Sequence, residues 1–156
     1  MENNCVVIVY LSGHGYQTHD LNYDEADGLD EYIIGQNGEI ILDDNIKSWL
    51  VDNLPTNVRF IGIADTCHSS SMFDLNGQKG CISIGACADN ELENCDVGEK
   101  IGFGGALTIQ LLESMIDNKC LLEYLIVNFN INIDKVQQIL TEKLKPFGQH
   151  PLICHS

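Results

Sequence analysis

The sequence predicts an α/β fold with a mostly parallel central sheet and helices on both faces. Three apolar runs typical of buried strands, at residues 5–11, 58–64 and 81–86, are separated by segments with helical spacing. The chain has 156 residues, enough for one domain with a sizeable core. Strands that alternate with helices favour a three-layer arrangement, and ligands bind such folds at the carboxyl ends of the strands.

The first half of the chain contains further elements between these runs. Residues 12–29 are polar and rich in Gly and Asp, and they predict a long functional loop. Asn37 and Gly38 lie between two short apolar runs and predict the turn of a β-hairpin over residues 32–42. A helix capped by Asp43 or Asp44 then follows and ends at Pro55.

The second half predicts two helices and a final strand. The helices cover residues 106–116 and 134–145, and the strand covers 151–154. Residues 88–104 predict a second polar loop, and residues 120–133 fit a helix and a strand about equally well.

The composition restricts the classes of molecule that we expect this protein to bind. The net charge is −15, from 23 acidic and 8 basic residues. Such a surface repels phosphate backbones and attracts cations, so we expect metal ions or basic peptides and no nucleic acid. The sequence contains no apolar stretch typical of a membrane span or signal peptide. Seven cysteines without CxxC spacing favour reduced thiols, hence a cytoplasmic protein.

Two of the apolar runs end in residues that carry chemistry. The first ends in Gly13, His14 and Gly15, and the second in Asp65, Thr66 and Cys67. A base and a thiol at neighbouring strand ends are what a Cys–His hydrolase requires. His14 precedes Cys67 by 53 positions, near the roughly 50 expected of a caspase-type pair.

Several ordered motifs extend this pattern along the chain. They are YLSGHGYQ at 10–17, DEADGLDE at 24–31, ILDD at 41–44, DTCHS at 65–69, SIGACAD at 83–89, GGALT at 104–108 and QHPLI at 149–153. Together they resemble the metacaspase branch of the caspase-like cysteine peptidases. The resemblance implies a single caspase-like domain over 1–156, with a large-subunit-like part at 1–80 that holds both residues of the pair and a small-subunit-like part at 81–156.

The resemblance also implies roles for individual residues. Cys67 would be the nucleophile and His14 the general base, while the backbone N–H groups of Gly15 and Cys67 would bind the oxyanion. Ser12 and Asp65 would line the pocket for the residue before the scissile bond, and Asp89 would add a second carboxylate.

A carboxylate in that pocket would select substrates by charge. Carboxylates pair with Arg or Lys, so we expect cleavage after a basic residue. Enzymes that cleave after Asp use arginines instead, and the only arginine of this chain, Arg59, lies inside a predicted strand.

Calcium is the expected cofactor, because a hard cation binds several oxygens in flexible loops. By resemblance the ligands would be Asp30, Asp43, Asp44 and Asp74. An alternative interpretation makes Asp43 and Asp44 helix caps and Asp74 an ordinary turn residue.

The sequence lacks one part of the family pattern. Metacaspases carry a strand, a helix and a further strand before the His strand, so we interpret this chain as N-terminally truncated, with its first run at a sheet edge. A protein partner could complete that edge. Two alternatives to a peptidase therefore stay open: an inactive caspase-like module that binds a partner, and an acidic calcium-binding adaptor.

Overall fold

A computed structural model describes residues 5–25, 27–75, 80–88, 90, 105–117 and 133–155. Its larger sheet has four strands in the order β1 (Cys5–Ser12), β5 (Val58–Asp65), β6 (Cys81–Gly85) and β7 (Leu152–His155). The first three strands are parallel, and β7 is antiparallel to β6. The predicted mostly parallel sheet is confirmed.

A second, antiparallel sheet lies between β1 and β5 in the chain. It consists of β2 (Gly15–His19), β3 (Leu29–Ile34) and β4 (Ile40–Leu42). The predicted hairpin is confirmed as β3 and β4, and Gly38 takes the left-handed conformation of its turn, with φ of 86°. Strand β2 falls where the sequence predicted only loop. It forms because it pairs along β3, where the rings of Tyr16 and Tyr32 stack.

The helices lie largely where the sequence predicted them. Helix α1 (Asp43–Ile46) continues as a π-helical segment, Lys47–Val51, and so ends before the predicted Pro55. Helices α2 (Ala106–Asp117) and α3 (Ile133–Leu144) confirm the two later predictions, and a 3-10 turn, Lys145–Phe147, follows α3.

Two apolar cores cover the two faces of the larger sheet. Alternate side chains of a strand point to opposite faces. Ile61 of β5 therefore packs with α2 and α3, while Phe60 packs with α1 and with Phe73, whose ring meets it edge to face. Helices lie on both sides of the sheet, so the three-layer prediction is confirmed.

Strand β1 departs from the sequence prediction of a fully buried strand. It forms one edge of the four-stranded sheet among the described strands, and each of its residues is at least partly exposed. Ile8 and Tyr10 are 51% and 48% exposed. The prediction of burial was wrong, because an apolar run alone does not say whether both neighbours of a strand are present. The edge position that was expected of a truncated chain agrees with the described strands.

Several predictions fall outside the described residues: most of the 88–104 loop, and residues 120–132 of the ambiguous segment. The division into parts at 1–80 and 81–156 stays a prediction. Among the described helices, none combines the length and the apolar character needed to cross a membrane.

Candidate active site

The carboxyl ends of β1 and β5 meet at one rim. The parallel register places Ser12 beside Asp65, and the N–H of Gly13 donates to the carbonyl of Asp65 across 3.3 Å. His14 and Cys67 each lie two positions beyond that last pair. The strands therefore deliver the base and the thiol to the same edge of the sheet.

Gly15 brings the two turns into direct backbone contact. A Cβ built on Gly15 would overlap the carbonyl oxygen of Cys67 and stand 3.2 Å from Cβ of Thr66. Only glycine permits this approach. His14 is exposed and Cys67 is partly exposed, so a substrate can reach both side chains.

The turn that carries Cys67 is anchored to β6. His68 adopts φ of 52°, an uncommon backbone conformation that reverses the chain directly after the thiol. The hydroxyl of Ser69 then accepts hydrogen bonds from the N–H groups of Ala86, at 2.8 Å, and Cys87, at 3.2 Å. The rim is thus fixed from β1 on one side and from β6 on the other.

The roles of Ser69 and Gly85 were not predicted from the sequence. A Cβ on Gly85 would lie 2.5 Å from the carbonyl oxygen of Ser69, so the anchor requires glycine there. Both residues belong to the quoted motifs, and that was the available signal. Their contact joins segments 16 positions apart and could not be deduced from local spacing.

Cys87 is a structural thiol. It is fully buried, its thiol donates to the carbonyl of Thr66 across 3.3 Å, and burial raises its pKa to about 11. It therefore stays protonated near neutral pH, unlike a nucleophilic cysteine.

Asp65 is fully buried and joins β5 to the start of α2. Its Oδ2 accepts hydrogen bonds from the backbone N–H of Thr108, at 2.8 Å, and from the Thr108 hydroxyl. The Tyr10 hydroxyl lies 2.6 Å from that same Thr108 oxygen. The other carboxylate oxygen, Oδ1, accepts no hydrogen bond from the described residues.

The remaining predicted pocket residues have different positions. Ser12 is exposed at the end of β1, beside Asp65. Asp89 lies outside the described residues.

An acidic region lies around β3 and α1. Oxygens of Asp20, Asp24 and Asp30 come within 4.8 Å of one another, and Asp20 and Asp30 are more than nine-tenths buried. Asp30 is the only one of the four predicted calcium ligands in this group. Asp20 and Asp24 were not predicted as ligands, because their approach to Asp30 depends on the fold of the segment between β2 and β3.

The other predicted ligands surround this group. Asp43 accepts hydrogen bonds from the N–H groups of Glu31, at 3.2 Å, and Asp44, at 2.8 Å. Asp44 accepts one from the Asn22 amide at 2.8 Å. Asp74 forms an ion pair with Lys47 at 2.9 Å.

Burial and repulsion between neighbouring carboxylates both raise pKa values in the acidic region. Burial, together with the charges of Asp43, Glu31 and Asp74, raises the pKa of Glu25 to about 8. Burial also raises the pKa of Asp43 to about 6, although its backbone hydrogen bonds oppose the rise. Crowded carboxylates with raised pKa values suit a hard, multivalent cation, which would neutralise them.

The molecule is an α/β protein with a mostly parallel sheet, and the turns that carry His14 and Cys67 follow adjacent ends of parallel strands. This architecture is consistent with a caspase-like domain. A crystal structure of a Geobacter sulfurreducens protein supports the fold over 97% of this chain and 66% of that chain. Its TM-score is 0.63 at 22% sequence identity.

The N-terminal part of the chain is similar in sequence to metacaspases. A family model described as the metacaspase, peptidase C14 domain matches residues 1–76. Metacaspase-1 of Pyricularia oryzae is 43% identical over 76 residues, which cover 46% of this chain and 19% of that protein. Metacaspase-1 of Coccidioides immitis is 44% identical over 75 residues, which cover 46% and 16%.

The metacaspase resemblance is therefore confirmed for the N-terminal half. The matched region includes β1 to β5 and the Cys67 turn. The chain spans less than a fifth of the length of these curated relatives.

Proposed function

We propose that this protein is a cysteine-type endopeptidase that uses His14 and Cys67 and cleaves after Arg or Lys with stimulation by calcium. The single observation that carries the proposal is the β1–β5 register, which leads both residues to one rim. The metacaspase match over residues 1–76 includes both turns and supports the same chemistry.

The proposed reaction follows from the two side chains. The Sγ of Cys67 attacks the scissile carbonyl while the His14 imidazole takes up the thiol proton. His14 then gives this proton to the leaving amine, and water hydrolyses the resulting thioester. The N–H groups of Gly15 and Cys67, whose backbones are in contact, are the proposed donors to the oxyanion.

The proposed preference for basic substrates rests on Asp65 and on the net charge. Oδ1 of Asp65 has no hydrogen-bond donor among the described residues, so a substrate guanidinium or ammonium could supply one. The helix α2 N–H that binds Oδ2 keeps the carboxylate in place. A net charge of −15 attracts basic peptides to the protein.

The proposed calcium dependence rests on the acidic region. Asp30, Asp43, Asp44 and Asp74 are the expected ligands, and Asp20 and Asp24 lie close enough to Asp30 to contribute. When bound, the cation would neutralise repelling carboxylates and so stabilise the loop between β2 and β3.

The test is peptide cleavage by the purified chain. Fluorogenic peptides ending in Arg, Lys or Asp are incubated with calcium from zero to the millimolar range. We expect cleavage after Arg and Lys that rises with calcium, and a loss of at least about 10³-fold in kcat for Cys67→Ala.

The matched control is Cys5→Ala, which removes an exposed cysteine at the opposite end of β1 and should leave turnover unchanged. Folded wild-type protein that cleaves none of the peptides at any calcium concentration would exclude the proposal.

The edge position of β1 favours one second candidate, an inactive caspase-like module that binds a protein partner. Unpaired edge strands accept additional strands, and the exposed Ile8 and Tyr10 offer apolar contacts. This candidate predicts complex formation with a full-length metacaspase and no labelling of Cys67 by an arginyl chloromethyl ketone. Labelling of Cys67 would favour the peptidase.

A further inference from the structure

Glu31 connects the segments that carry the two proposed catalytic residues. Its side chain is only 1% exposed and lies in β3. The amide of Gln17 donates to its Oε1 across 2.9 Å, and the Ser71 hydroxyl donates to its Oε2. Gln17 follows His14 by three positions, and Ser71 follows Cys67 by four.

Each oxygen of the carboxylate therefore holds a different segment. Gln17 lies in β2, which begins at Gly15 directly after His14. Ser71 lies in the loop that begins at the Cys67 turn. The buried Glu31 side chain thus connects the segment after His14 with the segment after Cys67. Its partner Ser71 lies 40 positions further along the sequence.

Because Glu31 is buried, its carboxylate depends on these two hydrogen bonds. A carboxylate removed from water depends on its hydrogen-bond donors, so both donors are held firmly in place. The β2–β3 register pairs Gln17 with Glu31 directly, which keeps their side chains on the same face of the small sheet.

Glu31 also joins the acidic region to the rim. Its N–H donates to the Asp43 carboxylate across 3.2 Å, and its sequence neighbour Asp30 belongs to the acidic group of Asp20 and Asp24. The backbone of β3 therefore connects the acidic region with the segments that follow His14 and Cys67.

We propose that Glu31 is a positioning residue that sets the placement of the Cys67 thiol relative to His14. The proposal rests on the proposed function, because it assigns Glu31 a role in the same site. In this role Glu31 acts through Gln17 and Ser71.

The test measures thiol reactivity and needs no turnover. The rate at which iodoacetamide alkylates Cys67 is measured by peptide mass spectrometry from pH 5 to 9. The exposed Cys5 of the same molecule is the internal reference. Where the wild type cleaves peptides, kcat and KM are measured as well.

Two substitutions separate positioning from simple burial. In Glu31→Gln the amide oxygen can accept from Gln17 and the NH₂ can donate to the Ser71 hydroxyl, so both connections persist. Glu31→Leu removes both. Glu39→Leu removes an exposed carboxylate before β4 that accepts a hydrogen bond from the Asn37 N–H, and it is the matched control.

We expect Glu31→Leu to lower the Cys67-to-Cys5 alkylation ratio by at least about tenfold and to make the pH profiles of the two cysteines alike. Glu31→Gln should stay within about threefold of the wild type, and Glu39→Leu should match it. In turnover, kcat should fall for Glu31→Leu while KM changes little.

An unchanged ratio in folded Glu31→Leu would overturn the inference. If circular dichroism shows that this variant is unfolded, Gln17→Leu and Ser71→Ala each remove one connection, and unchanged ratios in both overturn it equally. Wild-type Cys67 that reacts no faster than Cys5 would instead refute the proposed function itself.

Discussion

The rim and the acidic region differ in the kind of contact that their residues make. At the rim, backbone meets backbone: Gly15 lies against the Cys67 carbonyl, and Ser69 binds two N–H groups beyond β6. In the acidic region, like charges lie close together, and the pKa of Glu25 rises to about 8. Steric contacts at the rim do not change with the ions in solution, whereas we expect the stability of the acidic region to depend on which cations are present.

The largest effect expected at the rim comes from Gly15→Ala. The added Cβ would overlap the Cys67 carbonyl oxygen, so the His14 and Cys67 turns must move apart. Misplacement of about 1 Å can reduce turnover about 10²-fold, and we expect at least that loss in kcat. Peptide cleavage at saturating calcium measures it.

Gly38→Ala is the control for this change. It introduces a side chain at φ of 86° but meets no atom within 4 Å. It should cost about 1 kcal/mol in the free energy of unfolding and leave kcat unchanged. Equal kcat values for the two variants would show that the rim tolerates far more movement than its contacts indicate.

Asp30→Asn should lower the affinity of the acidic region for calcium. The substitution removes one charge from the group of Asp20, Asp24 and Asp30. We expect the calcium concentration for half-maximal stimulation to rise about tenfold, with kcat at saturating calcium within about twofold of the wild type.

Asp52→Asn removes an exposed carboxylate after α1 and provides the comparison. If it shifts the calcium response as far as Asp30→Asn does, total charge governs the response and the proposed site is excluded.

The smallest effect is expected at Cys87. Because burial raises its pKa to about 11, it should remain unalkylated by iodoacetamide at pH 8 in folded protein, while Cys67 reacts. Cys87→Ala should lower the free energy of unfolding by about 1–2 kcal/mol, since it removes a buried donor, and should leave kcat within about twofold. Rapid labelling of Cys87 before unfolding would contradict its structural role.

The elements near the rim could be predicted because their signals are local. The apolar runs of β1 and β5 and the turn at Gly38 depend on a few adjacent residues. Strand β2 was missed because its polar residues become a strand only by pairing with β3. The apolar run of β1 by itself predicted burial, which was wrong because the exposure of a strand depends on which strands lie beside it.

Some residues of the candidate site could likewise be predicted from local sequence, and others could not. His14 and Cys67 were indicated by their positions after apolar runs, and the structure places both at one rim. Asp20, Glu31 and Ser69 gave no comparable signal. Their partners, Asp30, Ser71 and Ala86, are 10 to 40 positions away.

Residue types and short-range periodicity were enough to predict the class of fold, the candidate pair of His14 and Cys67 and the acidic character of the chain. The three-dimensional contacts were needed to show which carboxylates crowd together, which cysteine is buried and which side chain joins the two turns. These properties arise from contacts between distant segments, and such contacts form only when the strands pair in one order and one register.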